Sequence, residues 1–516
     1  MPADYDAIVV GAGHNGLVCA AYLASGGLVT LLVEARDSVG GCASTVPAIG
    51  TRVNICNCDH TTFRTTPVFD ELHLGDHGLR YLDVEPAQLC ISWTGGPAWP
   101  VFHDVERTVD ALRLTHPDQA DAYRRYARAA RPVAELVLEA ANEPPTRRRL
   151  LARLAERRGR GIATLLRWSR HTVAEVLGEY FTSEAILGPA VASGPAVWGL
   201  SPHTPRTGLG ALTPMMKHVA QVGRPVGGSG ALTDAIRRVF ESRGGTVRCG
   251  TPVRALSCEG NRVRGIELAD GTQVEAPLVV SSCDPHTTFL SWLRNPPAVA
   301  REVVRHWRRT PSADGYESKL DAVIDTLPRY NAVDASVADR LGFDPLVPTT
   351  LIAPSLDEMH RAHASMGEGR VAERPIFLVN VPSVLDPTMA AAGGHVFSLE
   401  VLYTPYTVPG GWATSTEPPR WLERYASLVQ PDFGDHVRRW RVMTPESYES
   451  DFSMRRGYAT SFAGGPLAAF LGRRPELTRY ETPISGLYLT GAATFPGAGV
   501  WGASGRNAAL QVLRRS

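Results

Sequence analysis

Lysine is almost missing from this sequence: Lys217 and Lys319 are the only two in 516 residues, and arginine supplies the rest of 53 basic residues that face 52 acidic ones. A formal net charge of +1 excludes bulk electrostatic affinity for nucleic acid, and no zinc-finger, helix-turn-helix or RNA-binding signature takes its place. The arginine bias also lowers the weight of any argument from arginine clusters alone. The eight cysteines (Cys19, Cys42, Cys56, Cys58, Cys90, Cys249, Cys258 and Cys283) contain no Cys-x-x-Cys pair and no metal-spaced quartet. They read as thiols, which speaks against a disulfide reductase and predicts no bound metal. An unbroken membrane-length run is missing too. Gly16 to Val33 is uncharged, yet Ser25-Gly26-Gly27 interrupts it where a helix-to-strand turn belongs, so it reads as two short buried elements. Met1-Pro-Ala-Asp4 has no basic start ahead of the first apolar strand, and the expected location is cytoplasmic.

What is present begins at once. Asp6-Ala-Ile-Val-Val-Gly11-Ala-Gly13-His14-Asn15-Gly16 is an apolar strand running into a glycine turn, followed by an apolar helix and a second strand that ends in Glu34. In this dinucleotide fingerprint Gly11 permits the tight turn, Gly13 lets backbone approach a pyrophosphate, Gly16 lets helix lie close on strand, and Glu34 accepts from a ribose hydroxyl about twenty residues on. Ala35 and Arg36 follow the acid, and a second small-residue cluster, Gly40-Gly41-Cys42-Ala43-Ser44, comes directly after. It resembles the Arg-x-x-x-Gly-Gly segment of flavoprotein oxidases and desaturases, where backbone amides reach the far phosphate. Near the C-terminus a strand again opens into Thr490-Gly491-Ala492 and then Gly499-Val500-Trp501-Gly502 before a helix, so helix N-terminal amides can face an anion or the electron-rich end of a flavin.

Together these segments are similar to the phytoene desaturase-like family of FAD-dependent oxidoreductases, which includes carotenoid desaturases and retinol saturase and is related to amine oxidases. Residues 223–290 match the family's central portion, and the resemblance implies that Val253 lies against the adenine. Around Asp270-Gly271, a hairpin dipeptide, Arg262–Leu268 and Thr272–Ala276 alternate in period two and predict a three-stranded antiparallel insertion. The implied fold is α/β: a Rossmann-type FAD-binding domain of the GR2-like flavoprotein kind, discontinuous over 1–85, 223–290 and 471–516, with an α+β substrate domain from 86–222, mainly helical, and 291–470. Strand candidates in the latter are Pro375–Val381 and His395–Tyr403.

A bound flavin carries the hydride chemistry itself, so catalytic residues are few. His60, in Asn54-Ile-Cys56-Asn-Cys58-Asp59-His60, stands where the family passes a segment by the flavin; many members carry Asp-x-Gly-Pro there, and this chain departs from that pattern. His60 is read as base or substrate hydrogen-bond donor, and His60, Cys56 and Cys58 as alternatives for a covalent flavin anchor, against a non-covalent expectation. Lys217 and His218 form a second candidate pair. The implied function is hydride abstraction from an organic substrate to form C=C or C=N. Alternatives are an amine oxidase, a saturase, a redox-neutral isomerase, or a non-catalytic flavin-bound partner-binding protein. The expected partner is a small organic substrate, with lipophilic and carrier-tethered molecules both open and no nucleic acid. Arg147 to Arg170 reads as a basic amphipathic helix that could touch an anionic membrane surface, against the commoner reading of a solvated helix.

Overall fold

The computed structural model describes residues 4–515 apart from 57, 312, 314, 459, 463–467 and 470. A five-stranded parallel sheet runs in the order Leu487–Leu489, Leu278–Ser281, Ala7–Val10, Thr30–Val33, Thr246–Arg248. Every residue of Ala7–Val10 and Thr30–Val33 is buried, because both faces of the sheet are covered and neither tolerates a polar alternation. Helices His14–Ser25, Gly230–Ser242 and Ala503–Leu513 pack on one face. The other carries the antiparallel sheet Val253–Glu259, Arg262–Leu268, Gln273–Glu275 together with helix Arg301–Arg309. The hairpin expected at Asp270-Gly271 is there, closed by the Gly271 N–H on Leu268 O at 3.0 Å.

A second sheet has seven strands, ordered Val437–Met443, Glu317–Ile324, His395–Leu402, Phe377–Asn380, Thr350–Ala353, Gln88–Ser92, Trp99–Val101. Its neighbours are antiparallel except Thr350–Ala353, which runs parallel to Gln88–Ser92. That parallel pair joins residues from the two long stretches lacking glycine motifs. The strands expected at 375–381 and 395–403 form as Phe377–Asn380 and His395–Leu402. Glu317–Ile324 was not anticipated, since Glu317, Lys319 and Asp321 interrupt its apolar pattern, yet all eight residues are buried.

The helical stretch is built on Pro117–Ala141. Proline opens it, where its missing N–H costs no hydrogen bond, and Ala120, Tyr123, Ala127, Ala130 and Ala134 fall on its buried face at three- and four-residue steps. Tyr123, Tyr126 and Phe181 meet there with ring centroids 5.6–6.0 Å apart. The arginine-rich stretch is two helices instead of one. Arg147–Glu156 buries none of its residues, and Gly159 and Gly161, both left-handed, break the chain before Ile162–Trp168, which buries Leu165 and Trp168. Among the described residues no helix is long and apolar enough to cross a membrane.

Candidate functional site

The glycine turn has the shape its residues suggest. A Cβ on Gly16 would lie 1.9 Å from the Gly11 carbonyl oxygen, whereas one on Gly13 would meet nothing within 4 Å. Helix and strand therefore touch at Gly16, and space lies open beside Gly13. Helix His14–Ser25 starts there with no side-chain cap and no acid in its first turn, leaving its leading N–H groups and positive dipole end available to an anion. Glu34 closes the turn, accepting from Ala12 N at 2.7 Å and Arg36 N at 3.0 Å. Gly40 N donates to Ala12 O at 2.8 Å, which lays the 40–44 segment along the turn. Arg36 reaches Ser44 Oγ at 3.4 Å and stacks 4.2 Å over Phe452, while the Cys42 thiol meets Met454 Sδ at 3.0 Å. Thr251 N bonds Glu34 O at 2.8 Å and brings Val253, the first residue of its strand, close to the acid.

The C-terminal segment lies against the same turn. Helix Ala503–Leu513 also begins uncapped and without an acid, after left-handed Gly502, and a Cβ on Gly505 would sit 2.2 Å from Asn15 O. Two helix N-termini thus come together. His14 hydrogen-bonds the Gly499 backbone, and burial pushes its imidazole down to about 4 despite that bond. Gly491 N is held by Ser504 Oγ at 3.0 Å, and Trp501 Nε1 donates to Ala498 O at 3.1 Å, so the 499–502 loop, with Val500 O accepting from Thr62, is fixed from several sides.

Residues 54–60 tie this region to the seven-stranded sheet; Asn57 lies outside the described residues. On the dinucleotide side, His60 exchanges backbone bonds with Gly223 at 2.8 and 3.2 Å. On the sheet side, Lys319 Nζ donates to Asn54 O at 2.7 Å, Cys58 Sγ to Asn380 Oδ1 at 3.5 Å and Thr349 Oγ1 to Asp59 at 2.6 Å. Asp59 is also paired with Arg224 at 2.8 Å, both side chains fully covered. Burial pushes the Asp59 carboxyl up, but the Arg224 charge and the hydrogen bonds from Arg224 and Thr349 outweigh it and hold the group below its ordinary range.

The three catalytic candidates differ in what they have free. Tyr81 and Ser229 engage both ring nitrogens of His60, at 2.7 and 3.1 Å, and burial takes it down to about 3. His218 is likewise bonded on both sides, by Tyr123 Oη at 2.7 Å and His103 O at 3.1 Å, and burial holds it near 4. Lys217 is different: its ammonium makes no hydrogen bond or ion pair among the described residues, and burial lowers it against the attraction of Asp59. Sequence reading missed the polar face beside them. Glu317, Lys319 and Asp321 alternate along one buried strand; Lys319 lies directly across from Glu400, and Ser398 Oγ donates to Asp321 at 2.8 Å. Burial, then the Glu317 charge, raises Glu400 to about 8, and its buried Oε1 has no hydrogen-bond partner among the described residues. Glu400 therefore holds its proton more tightly than an ordinary glutamate. The one available signal was charge at every second position in a strand with no exposed face.

Fold and turn geometry define a dinucleotide-binding oxidoreductase. Residues 9–72 match the family model of NAD(P)-binding Rossmann-like domains, and residues 139–359 match that of flavin-containing amine oxidoreductases. The chain is 28% identical over 99% of its length, and 94% of the relative's, to the pyridine nucleotide-disulfide oxidoreductase domain-containing protein 2 of Rattus norvegicus. It is 25% identical to a lycopene-forming phytoene desaturase of a Paracoccus species, over 99% and 98% of the two chains. The cyclohexylamine oxidase of Brevibacterium oxydans shares the fold, at a TM-score of 0.61 and 16% identity over 99% of both chains. The chain is an FAD-dependent oxidoreductase similar to phytoene desaturases and to flavin-containing amine oxidoreductases. Its residues fit FAD: the open side of Gly13, two uncapped helix N-termini and Glu34 at the end of the second strand offer a pyrophosphate and a ribose their usual partners.

Proposed function

We propose that the chain removes hydride from a C–H bond of a small organic substrate, giving a C=C or C=N bond, at the junction of the parallel sheet and the seven-stranded sheet. When bound, FAD supplies the hydride acceptor. The chain's residues supply position and polarity. Gly13, Glu34 and the two helix N-termini hold the dinucleotide; residues 54–60 separate it from the Glu317–Lys319–Glu400 face; neutral His60 and His218 brace the walls. The observation that carries this reading is the clamp at 54–60, bonded to Gly223 and Ser229 on one side and to Lys319, Thr349 and Asn380 on the other.

The test is anaerobic addition of primary amines, cyclic hydrocarbons and carboxylic acids to the FAD-loaded protein. Bleaching of the visible flavin band by one class is expected. If dithionite bleaches it and none of the three classes does, FAD is held without turnover and the reading fails.

A membrane-surface location is part of the same proposal. Helix Arg147–Glu156 buries nothing and exposes Leu151 at 55%, and Leu166 is exposed nearby. Glu143 and Glu139 engage Arg153 and Arg157, but Arg148, Arg158 and Arg160 of the same stretch are exposed, and exposed basic and apolar residues together suit anionic lipid.

A further inference from the structure

The chain uses arginine wherever it needs a surface cation and keeps lysine at only two positions. Lys319 is buried and Lys217 half-buried, the first bonded to Asn54 and the second close enough for its charge to act on Asp59. An ammonium differs from a guanidinium in being compact and in giving up its proton more readily when desolvated, so two lysines kept at these positions are two places where an amine is required. Lys319 is accounted for: it is 1% exposed and bonded to Asn54 O and Asp321.

Lys217 is not. It sits in helix Thr213–Val219, whose Pro214, Met215, Met216 and His218 are buried, while its own side chain is only partly covered. Its carbonyl is fixed by His103 at 2.9 Å, so the backbone is anchored while the ammonium has no partner among the described residues. Among the described residues no acid forms an ion pair with it. Asp59, the acid that attracts it, is already paired with Arg224; Cys90 is a thiol pushed up by burial, hence uncharged; His218 is neutral and turned to Tyr123. Holding a partly desolvated cation without a counter-charge is costly, and a ligand bearing the opposite charge removes that cost.

We propose that Lys217 is a substrate-recognition residue and that the substrate of this site carries a carboxylate, received by the Lys217 ammonium. The inference rests on the reading of the site as a small-molecule dehydrogenase and names its substrate class. A neutral hydrocarbon would leave the ammonium unmatched, and an alkylammonium would meet like charge. A carboxylate gains a charge-assisted hydrogen bond in a place of low dielectric.

Octanoate, octanol and octylamine, which share one chain length and differ in polar end, are the probes. With so few lysines, amine acetylation followed by peptide mass spectrometry reads Lys217 directly, Lys319 being covered and paired. Octanoate is expected to slow Lys217 acetylation by about tenfold or more at saturation, while octanol and octylamine leave it unchanged, an added lysine-containing peptide serving as internal standard. In the FAD-loaded protein, Lys217→Met should weaken octanoate binding, followed by perturbation of the flavin spectrum, at least tenfold, about 1.4 kcal/mol, with octanol binding altered less than twofold. Equal protection by octanoate and octanol, or unchanged octanoate affinity in a folded Lys217→Met protein, would overturn the proposal. The labelling experiment involves no turnover, so its failure is distinct from a failure of flavin bleaching, which would instead strike the dehydrogenase reading.

Discussion

Asp59 and Arg224 show how one pair can decide whether the junction stands. Both side chains are covered, and Arg224 spends its remaining donors on Val347 O and Pro382 O at 3.0 and 3.4 Å, so it ties the 54–60 segment to two loops of the large sheet. Arg224→Met removes the cation and leaves a buried carboxylate uncompensated, which costs about 3–5 kcal/mol. Thermal unfolding at pH 7 should register that loss. The pH response should also reverse. In the parent, Asp59 titrates below its unfolded value, so its contribution is complete above pH ~4 and disappears as the pH falls through the folded value. In the variant, burial is opposed only by the Thr349 hydrogen bond and the Lys217 charge, the carboxyl rises, the native state binds the proton more tightly than in the parent, and part of the lost stability should return between pH 7 and pH 5. A variant whose midpoint falls in parallel with the parent on acidification would show that Arg224 is not what sets Asp59.

Among elements, the two glycines at the turn separate folding from cofactor binding. Gly13 has an extended backbone that alanine adopts freely, and its missing Cβ faces open space. Gly505, in contrast, presses its helix onto Asn15 O. Gly13→Ala should leave the apoprotein as stable as the parent or up to about 1 kcal/mol more so, while weakening FAD retention on a desalting column at least tenfold. Gly505→Ala should cost the apoprotein about 1–3 kcal/mol by forcing the two helices apart. Comparable apoprotein melting points for the two variants would refute this division of labour. The sequence made the turn legible because a strand, three spaced glycines and an acid each answer a local steric demand. It made the 253–275 hairpin legible for the same reason, through alternation around Asp270-Gly271. The strand Glu317–Ile324 was hidden because its charged residues point into a polar interior face formed by strands far away in sequence, and nothing local distinguishes that face from solvent.

At the scale of the whole molecule, the long-range pairings explain what sequence patterning left out. Thr350–Ala353 finds its neighbour at Gln88–Ser92, and Leu487–Leu489 completes a sheet begun at Ala7; such contacts carry no periodic signal in either partner. The arginine-rich stretch is a related case, because its periodicity suggested a single amphipathic helix while two glycines divide it and acidic residues of the preceding helix and loop engage several of its arginines. What remains exposed is Leu151 and Leu166 together with Arg148, Arg158 and Arg160, and this remnant makes a definite prediction. The protein should sediment with phosphatidylglycerol vesicles at low salt, fail to sediment with phosphatidylcholine vesicles, and be released from the former by 0.5 M sodium chloride on the order of the Debye screening expected there. Leu151→Gln should weaken the sedimentation without altering the flavin spectrum, since helix Arg147–Glu156 contributes no buried side chain to the fold. Absence of sedimentation with either vesicle at low salt would reduce the stretch to a solvated, salt-bridged bracket, and substrate would then have to reach the junction from water.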